Sequence, residues 1–107
     1  MRHELDREKK TLRVIFPGDV LSTNVETLRN EVLAVIETQA PAAGWDCAEM
    51  DLNAAQMIDS VGLNLLVSLI KTLRGRGKSM RIRIASAHIK RALKFTRLDQ
   101  LAEVVGA

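Results

Sequence analysis

The chain of 107 residues has the length of one domain, and its 47% of apolar residues is ordinary for a folded protein. No apolar run approaches the roughly 18 residues that a membrane-spanning helix needs, and the charged segment 1–6 is unlike a signal peptide. A single cysteine, Cys47, excludes an internal disulfide framework and a multi-cysteine zinc site. We therefore expect one domain over residues 1–107, located in the cytoplasm.

Charge is distributed unevenly along the chain. Residues 1–53 carry six basic and ten acidic side chains, whereas residues 54–107 carry ten basic and three acidic ones. A basic half is typical of proteins that bind nucleic acid, and equally of proteins that bind an acidic protein surface. Because aromatic residues are not interleaved with the basic ones, we do not expect nucleic acid as the partner. The basic residues that would bind it are Arg74, Arg76, Lys78, Lys90, Arg91, Lys94 and Arg97.

Short segments of alternating apolar and polar residues predict β-strands. Residues 12–16 alternate and stop at a Pro-Gly turn, residues 47–52 alternate again, and residues 80–85 alternate most regularly. Residues 4–10 are polar and predict a weak edge strand, where charge prevents unwanted pairing. Residues 101–105 predict a last short strand.

Apolar residues at helical spacing predict a helix after each of the three central strands. The first carries Thr23 and Glu26 at the spacing of a capping box and ends near Gln39. Residues 40–45 then predict a loop, because the proline within them disfavours a helix. Ser86 is the expected N-cap of the third helix.

The alternation of strands and helices predicts an α/β fold with a mainly parallel sheet. The strands are not apolar on both faces, as a sheet covered on both sides requires. We therefore expect a four- to five-stranded mixed, mainly parallel sheet with helices packed on one face, and with its polar face open to water or to a partner. On that face we expect Asp51 to pair with Arg83. The polar residues are Arg13, Glu49, Asp51, Arg81 and Arg83.

The junction between the strand over residues 47–52 and the second helix is the most informative segment. Asp59 and Ser60 are both favoured helix N-caps, and an apolar stripe at helical spacing follows from Leu63 to Leu73. A hydroxyl at this place lies beside unpaired N–H groups and the positive end of the helix dipole, where it can be modified or contacted by a partner. The plainer interpretation is that Asp59 or Ser60 only caps the helix.

In its order of elements over residues 10–105 the chain resembles the STAS domain, the fold of bacterial anti-sigma-factor antagonists. The motifs that carry the resemblance are the Gly18-Asp19 turn, the strand ending in Asp51-Leu52, and the segment Ile58-Asp59-Ser60-Val61-Gly62-Leu63. In that family a kinase, which is also the anti-sigma factor, phosphorylates the residue just before this glycine. The unphosphorylated antagonist binds the kinase and frees the sigma factor.

Two residues depart from the family's pattern. Val61, which has no hydroxyl, occupies the usual acceptor position, and Leu21 replaces the acidic residue at the end of the turn that begins at Gly18. The resemblance therefore implies a non-catalytic regulatory module that binds a serine-kinase or anti-sigma partner without phosphorylation at the usual position. Ser60 is the remaining candidate acceptor. The partner-binding residues that the resemblance implies are Asp19, Asp59, Ser60, Val61, Gly62 and Leu63.

A second function stays open beside the first. In residues 59–63 the chain is similar to the small STAS subunit of the lipid-asymmetry ABC transporter, because a hydroxyl residue precedes a small apolar residue. That subunit regulates the transporter's ATPase. We do not expect an enzyme, because His3 and His88 have no nucleophile at a telling spacing. Residues 75–79 lack the spacing of a phosphate-binding loop. We expect no cofactor and no metal site.

Overall fold

The computed structural model describes residues 1–39 and 44–106, so part of the loop predicted over residues 40–45 lies outside the described residues. Within the described residues no helix has the length and apolarity needed to cross a bilayer. In chain order the elements are β1 (Arg2–Asp6), β2 (Thr11–Ile15), α1 (Val25–Gln39), β3 (Cys47–Asp51), α2 (Ser60–Gly75), β4 (Ser79–Ile84), α3 (Ala87–Phe95), a 3-10 turn (Leu98–Gln100) and β5 (Glu103–Gly106).

The strands form one mixed sheet, in which their order across the sheet is their order along the chain. The first two strands pair antiparallel and each later strand adds parallel to the one before it. The predicted α/β fold with a mainly parallel sheet is confirmed. Because β2 to β5 run parallel, their carboxyl ends lie at the same edge of the sheet, called here the carboxyl edge. The loops that follow β2, β3 and β4 all leave this edge, and each parallel connection passes through a helix.

The core lies between the sheet and the three helices. Alternate strand residues such as Leu12, Met50 and Ile82 are fully buried against the helices. The apolar stripe of α2 differs from the prediction, because this helix lies between β4 and α1. Its fully buried residues therefore include Leu65 and Leu69, which the stripe predicted from the sequence did not contain.

The first helix begins differently from the prediction. The helix α1 starts at Val25, and the predicted capping box of Thr23 and Glu26 is not formed. Two other contacts are found at this helix start. The carboxylate of Glu26 accepts a hydrogen bond from Arg29 at 3.1 Å. The side-chain oxygen of Asn24 accepts the N–H of the residue three positions before it at 2.9 Å, which closes the turn ahead of the helix.

The polar face of the sheet carries a carboxylate that is covered by three arginines. Glu49 lies on the central strand, and Arg13 on one neighbouring strand and Arg81 and Arg83 on the other all bring a guanidinium within 3.5 Å of its carboxylate. As a result the side chain of Glu49 is only 1% exposed. Asp51 and Arg83 lie opposite each other on neighbouring strands, as expected, but among the described residues they form no ion pair. Arg83 binds Glu49 instead, with Nε at 3.2 Å and Nη2 at 3.3 Å.

Burial and charge act in opposite directions on Glu49. Burial favours its neutral form, but the hydrogen bonds and positive charge of Arg83, and then those of Arg13, outweigh burial. The pKa of Glu49 therefore lies below its ordinary value of 4.5. The carboxylate stays charged at neutral pH and joins three strands of the sheet.

Candidate functional site at the start of helix α2

Two loops cross at the carboxyl edge of the sheet. The first loop, residues 16–24, follows β2, and the second loop, residues 52–59, follows β3. Val20 and Ile58 form an isolated parallel bridge between them. The N–H of Val20 donates to the carbonyl of Met57 at 3.2 Å, and the carbonyl of Val20 accepts from the N–H of Asp59 at 3.3 Å. The start of α2 is thus fastened to the first loop by backbone hydrogen bonds.

Asp59 is the N-cap of α2, as one of the two sequence interpretations predicted. Its backbone is extended, with φ −96° and ψ −178°, and its Oδ1 accepts the N–H of Gly62 at 2.8 Å. Its Oδ2 accepts the N–H of Ser22 in the first loop at 2.7 Å. These two hydrogen bonds, that from Ser22 first, favour the ionised carboxylate and hold the pKa of Asp59 below its ordinary value of 3.8.

Asp19 holds the second loop from the other side. Its Oδ1 accepts the N–H of Gln56 at 2.8 Å and the N–H of Met57 at 3.1 Å. These are the last residues before the bridge between the two loops, so Asp19 fixes the path by which the chain enters α2. The carboxylate of Asp19 therefore supports the site from behind and is not part of its exposed surface.

Gly62 is buried against the first loop. A Cβ atom at this position would lie 2.3 Å from the carbonyl oxygen of Val20 and 2.7 Å from Cγ1 of Ile58. Only glycine allows α2 to begin this close to the first loop. Gly62 therefore determines the position of its neighbours, and its burial keeps it from direct contact with a partner.

Ser60 and Val61 are the exposed residues of the first turn of α2. Val61 is 39% exposed, and Met57, on the loop before it, is 58% exposed. Leu63 is half-buried on the next turn. Sequence reasoning did not include Met57 in the site, since an apolar residue before a helix resembles part of the core. Only its position two residues before Asp59 signals otherwise.

The chemistry that this site offers follows from Asp59, Ser60 and Val61. The oxygens of Asp59 are occupied by backbone N–H groups and its pKa is lowered, so it is a poor general base near neutral pH. Ser60 and Val61 offer a hydroxyl and an apolar side chain on a rigid support. In the part of the chain that the structure describes, no three His, Cys, Asp or Glu side chains are arranged to hold a metal ion.

A family model describing the STAS domain matches residues 4–105 of the chain. Solved structures agree on the fold. A crystal structure of a Thermotoga maritima protein, described as a candidate anti-sigma factor antagonist, superposes with a TM-score of 0.81 at 15% identity, covering 99% of this chain and 85% of that one. The anti-sigma factor antagonist SpoIIAA in its unphosphorylated form gives a TM-score of 0.72, again at 15% identity, covering 99% of this chain and 88% of that one.

Proposed function

Because the chain belongs to the STAS domain family, we propose that it is a non-catalytic regulatory module that binds a serine-kinase-type anti-sigma factor. The contact is made by the docking surface, which consists of Met57, Ser60, Val61 and Leu63 and is supported by Asp19, Asp59 and Gly62. The observation that carries the proposal is the exposure of Ser60 and Val61 on a rigidly held helix start. The two solved neighbours named as antagonists point to the same class of partner.

Rigidity is what suits this surface to binding. The hydrogen bonds of Asp19 and Asp59 and the two backbone bonds of Val20 fix the docking surface before a partner arrives. A surface that is ordered in advance loses little conformational entropy on association. Partner binding then needs no rearrangement of the two loops.

The module binds without being switched off by a phosphate at the usual position. Val61 stands at that position and has no hydroxyl. A phosphate on Ser60 would add about −1.5 to −2 charge directly beside Asp59, whose lowered pKa keeps it negative. Like-charge repulsion therefore opposes modification of Ser60, and we propose that the protein is a constitutive binder.

The test measures binding to each serine-kinase-type anti-sigma factor encoded by the source genome, purified separately and titrated by calorimetry with and without ATP. We expect one of them to bind wild type, and Ser60→Asp to weaken that binding at least tenfold. Ser79→Asp is the matched control, because Ser79 is exposed at the opposite edge of the sheet, and it should bind within twofold of wild type. Absence of binding to every such factor, or equal binding by Ser60→Asp, overturns the proposal.

The second candidate function is regulation of an ABC transporter ATPase of the lipid-asymmetry type. The order of a hydroxyl residue, Ser60, and an exposed apolar residue, Val61, favours it. The same titration with the purified ATPase subunit, scored by binding and by ATP turnover, separates the two functions. Binding to the ATPase that is lost in Ser60→Asp, with none to the anti-sigma factors, assigns the transporter role.

A further inference from the structure

Phe95 is the last residue of α3, and its side chain is 90% exposed. The other phenylalanine of the chain, Phe16, is 1% exposed and lies in the core. Ile89 and Leu93 already supply the apolar contacts that hold α3 on the sheet. The ring of Phe95 therefore contributes little to folding, and exposed aromatic side chains of this kind are typical anchors of protein interfaces.

Phe95 borders a shallow groove between α2 and α3, two helices that each pack against β4. Among the described residues, those that line the groove carry apolar or basic groups and one hydroxyl, that of Thr96, and no carboxylate. Arg91 lies in the lining itself, and Lys94 and Arg97, which flank Phe95 in the sequence, are exposed. The groove is lined by Leu63, His88, Arg91, Ala92, Phe95 and Thr96.

The groove is continuous with the docking surface. Ser60 and Leu63 are three residues apart on α2 and so lie on one side of that helix. Leu63 also lines the groove that ends at Phe95. A partner seated on the exposed first turn of α2 and extending towards α3 meets Leu63 first and Phe95 next.

We propose that the partner of the docking surface carries an apolar pocket rimmed by carboxylates, and that this pocket receives Phe95. The proposal rests on the proposed function and adds a second anchor to it. The ring supplies buried apolar area, while Arg91, Lys94 and Arg97 face the acidic rim. Charge complementarity of this kind accelerates association and discriminates between related partners. Phe95 and its basic neighbours thus determine which acidic-surfaced anti-sigma factor the module selects.

The charges argue against a second copy of the chain in this position. A two-fold symmetric contact centred on Phe95 brings each surface against its own duplicate. Arg91, Lys94 and Arg97 would then face the same three cations of the other copy. A partner with acidic residues removes this repulsion.

The test uses the anti-sigma factor that binds wild type, titrated with Phe95→Ala at several salt concentrations. Because the ring is exposed, Phe95→Ala should keep the wild-type midpoint of thermal unfolding while binding at least tenfold more weakly. Leu101→Ala is the matched control, since Leu101 is a 41% exposed apolar residue outside the groove, and it should bind within twofold of wild type.

A charge-reversed variant tests the rim. Arg91→Glu combined with Lys94→Glu should weaken binding and flatten its dependence on salt, because screening then has less attraction to remove. Arg7→Glu combined with Lys10→Glu, on the exposed turn between β1 and β2, makes the same change in net charge and should leave binding unaltered.

The outcomes separate the two proposals. If Ser60→Asp abolishes binding and Phe95→Ala does not weaken it, the Phe95 proposal fails and the proposed function stands. If no anti-sigma factor binds wild type, both fail. Two further results overturn the Phe95 proposal by assigning another occupant: a wild-type dimer in sedimentation that Phe95→Ala dissociates, or Phe95-dependent binding to vesicles of phosphatidylglycerol and phosphatidylcholine.

Discussion

Asp19 and Asp59 join the two loops from opposite sides: Asp19 accepts two backbone N–H groups of the second loop, and Asp59 accepts one of the first loop. The residues lie on different crossovers of the sheet, and each loop is held by hydrogen bonds to the other. The surface at the start of α2 is therefore a property of both loops together, and it should respond to substitutions that do not touch it.

Replacing Asp19 tests this mutual support. Asp19→Ala removes the acceptor of two backbone hydrogen bonds, each with a net contribution of about 1 kcal/mol. We expect a loss of about 1–2 kcal/mol in the free energy of unfolding, measured by urea titration, and faster amide exchange at Gln56 and Met57. Glu8→Ala, in the exposed turn after β1, is the control and should change neither quantity. Unchanged amide exchange in Asp19→Ala would contradict the support role.

The close approach at Gly62 predicts that alanine substitution will lower stability at this glycine but not at Gly75 of the same helix. Gly62→Ala forces a methyl group against the carbonyl of Val20, and overpacking of this kind costs about 1–3 kcal/mol. Gly75, the last residue of α2, has nothing within 4 Å of an added Cβ. Gly75→Ala should leave stability unchanged or raise it by up to about 1 kcal/mol. Equal urea midpoints for the two variants would disprove the tight packing of α2 on the first loop.

The covered carboxylate on the polar face predicts a specific response to acid. The pKa of Glu49 is lower in the folded protein than its ordinary value of 4.5, so its contribution to stability is complete above that value. The contribution is lost as the pH falls from about 4.5 through the lower folded pKa. Glu49→Gln removes it and should cost about 1–3 kcal/mol at pH 7, because the arginines lose their charged acceptor.

Urea titrations of wild type and Glu49→Gln from pH 7 to pH 3 measure this response. The difference in the free energy of unfolding between the two proteins should shrink as the pH falls below about 4.5. The carboxylate of Glu103 is 63% exposed and pairs with Arg81, so Glu103→Gln should show a smaller difference. A gap that stays constant over this range would show that Glu49 keeps an ordinary pKa.

The residue at position 61 predicts the outcome of a kinase assay. In wild type, incubation with ATP and the kinase-type partner should leave Ser60 without stoichiometric phosphate. Val61→Ser introduces a hydroxyl on the exposed first turn of α2, at the family's acceptor position. This variant should gain one phosphate at residue 61, located by tandem mass spectrometry of its peptides. Stoichiometric phosphate on Ser60 in wild type would contradict constitutive binding.

The sequence predicted the elements well because their signals are local. Alternation located the central strands, and Ser86 caps α3 as expected, its Oγ accepting the N–H of Ile89 at 3.3 Å. The cap at Asp59 was one of two interpretations of Asp59-Ser60, and both residues carry helix-start chemistry. Such features depend on neighbours within about four residues, which the sequence displays directly.

What the sequence did not predict depends on contacts between distant residues. Asp19 binds N–H groups 37 and 38 residues away, and nothing near it in the chain indicates where they are. Glu49 was expected on an open face, but its three arginines come from both neighbouring strands and can be assigned only once the register is known. The exposure of Phe95 likewise follows from which residues of α3 meet the sheet.

The strands lie across the sheet in the order of their synthesis. On the ribosome, every strand after the first therefore finds a pairing partner that has already been made, at the growing edge of the sheet. The nascent polypeptide can assemble this domain progressively from its amino end.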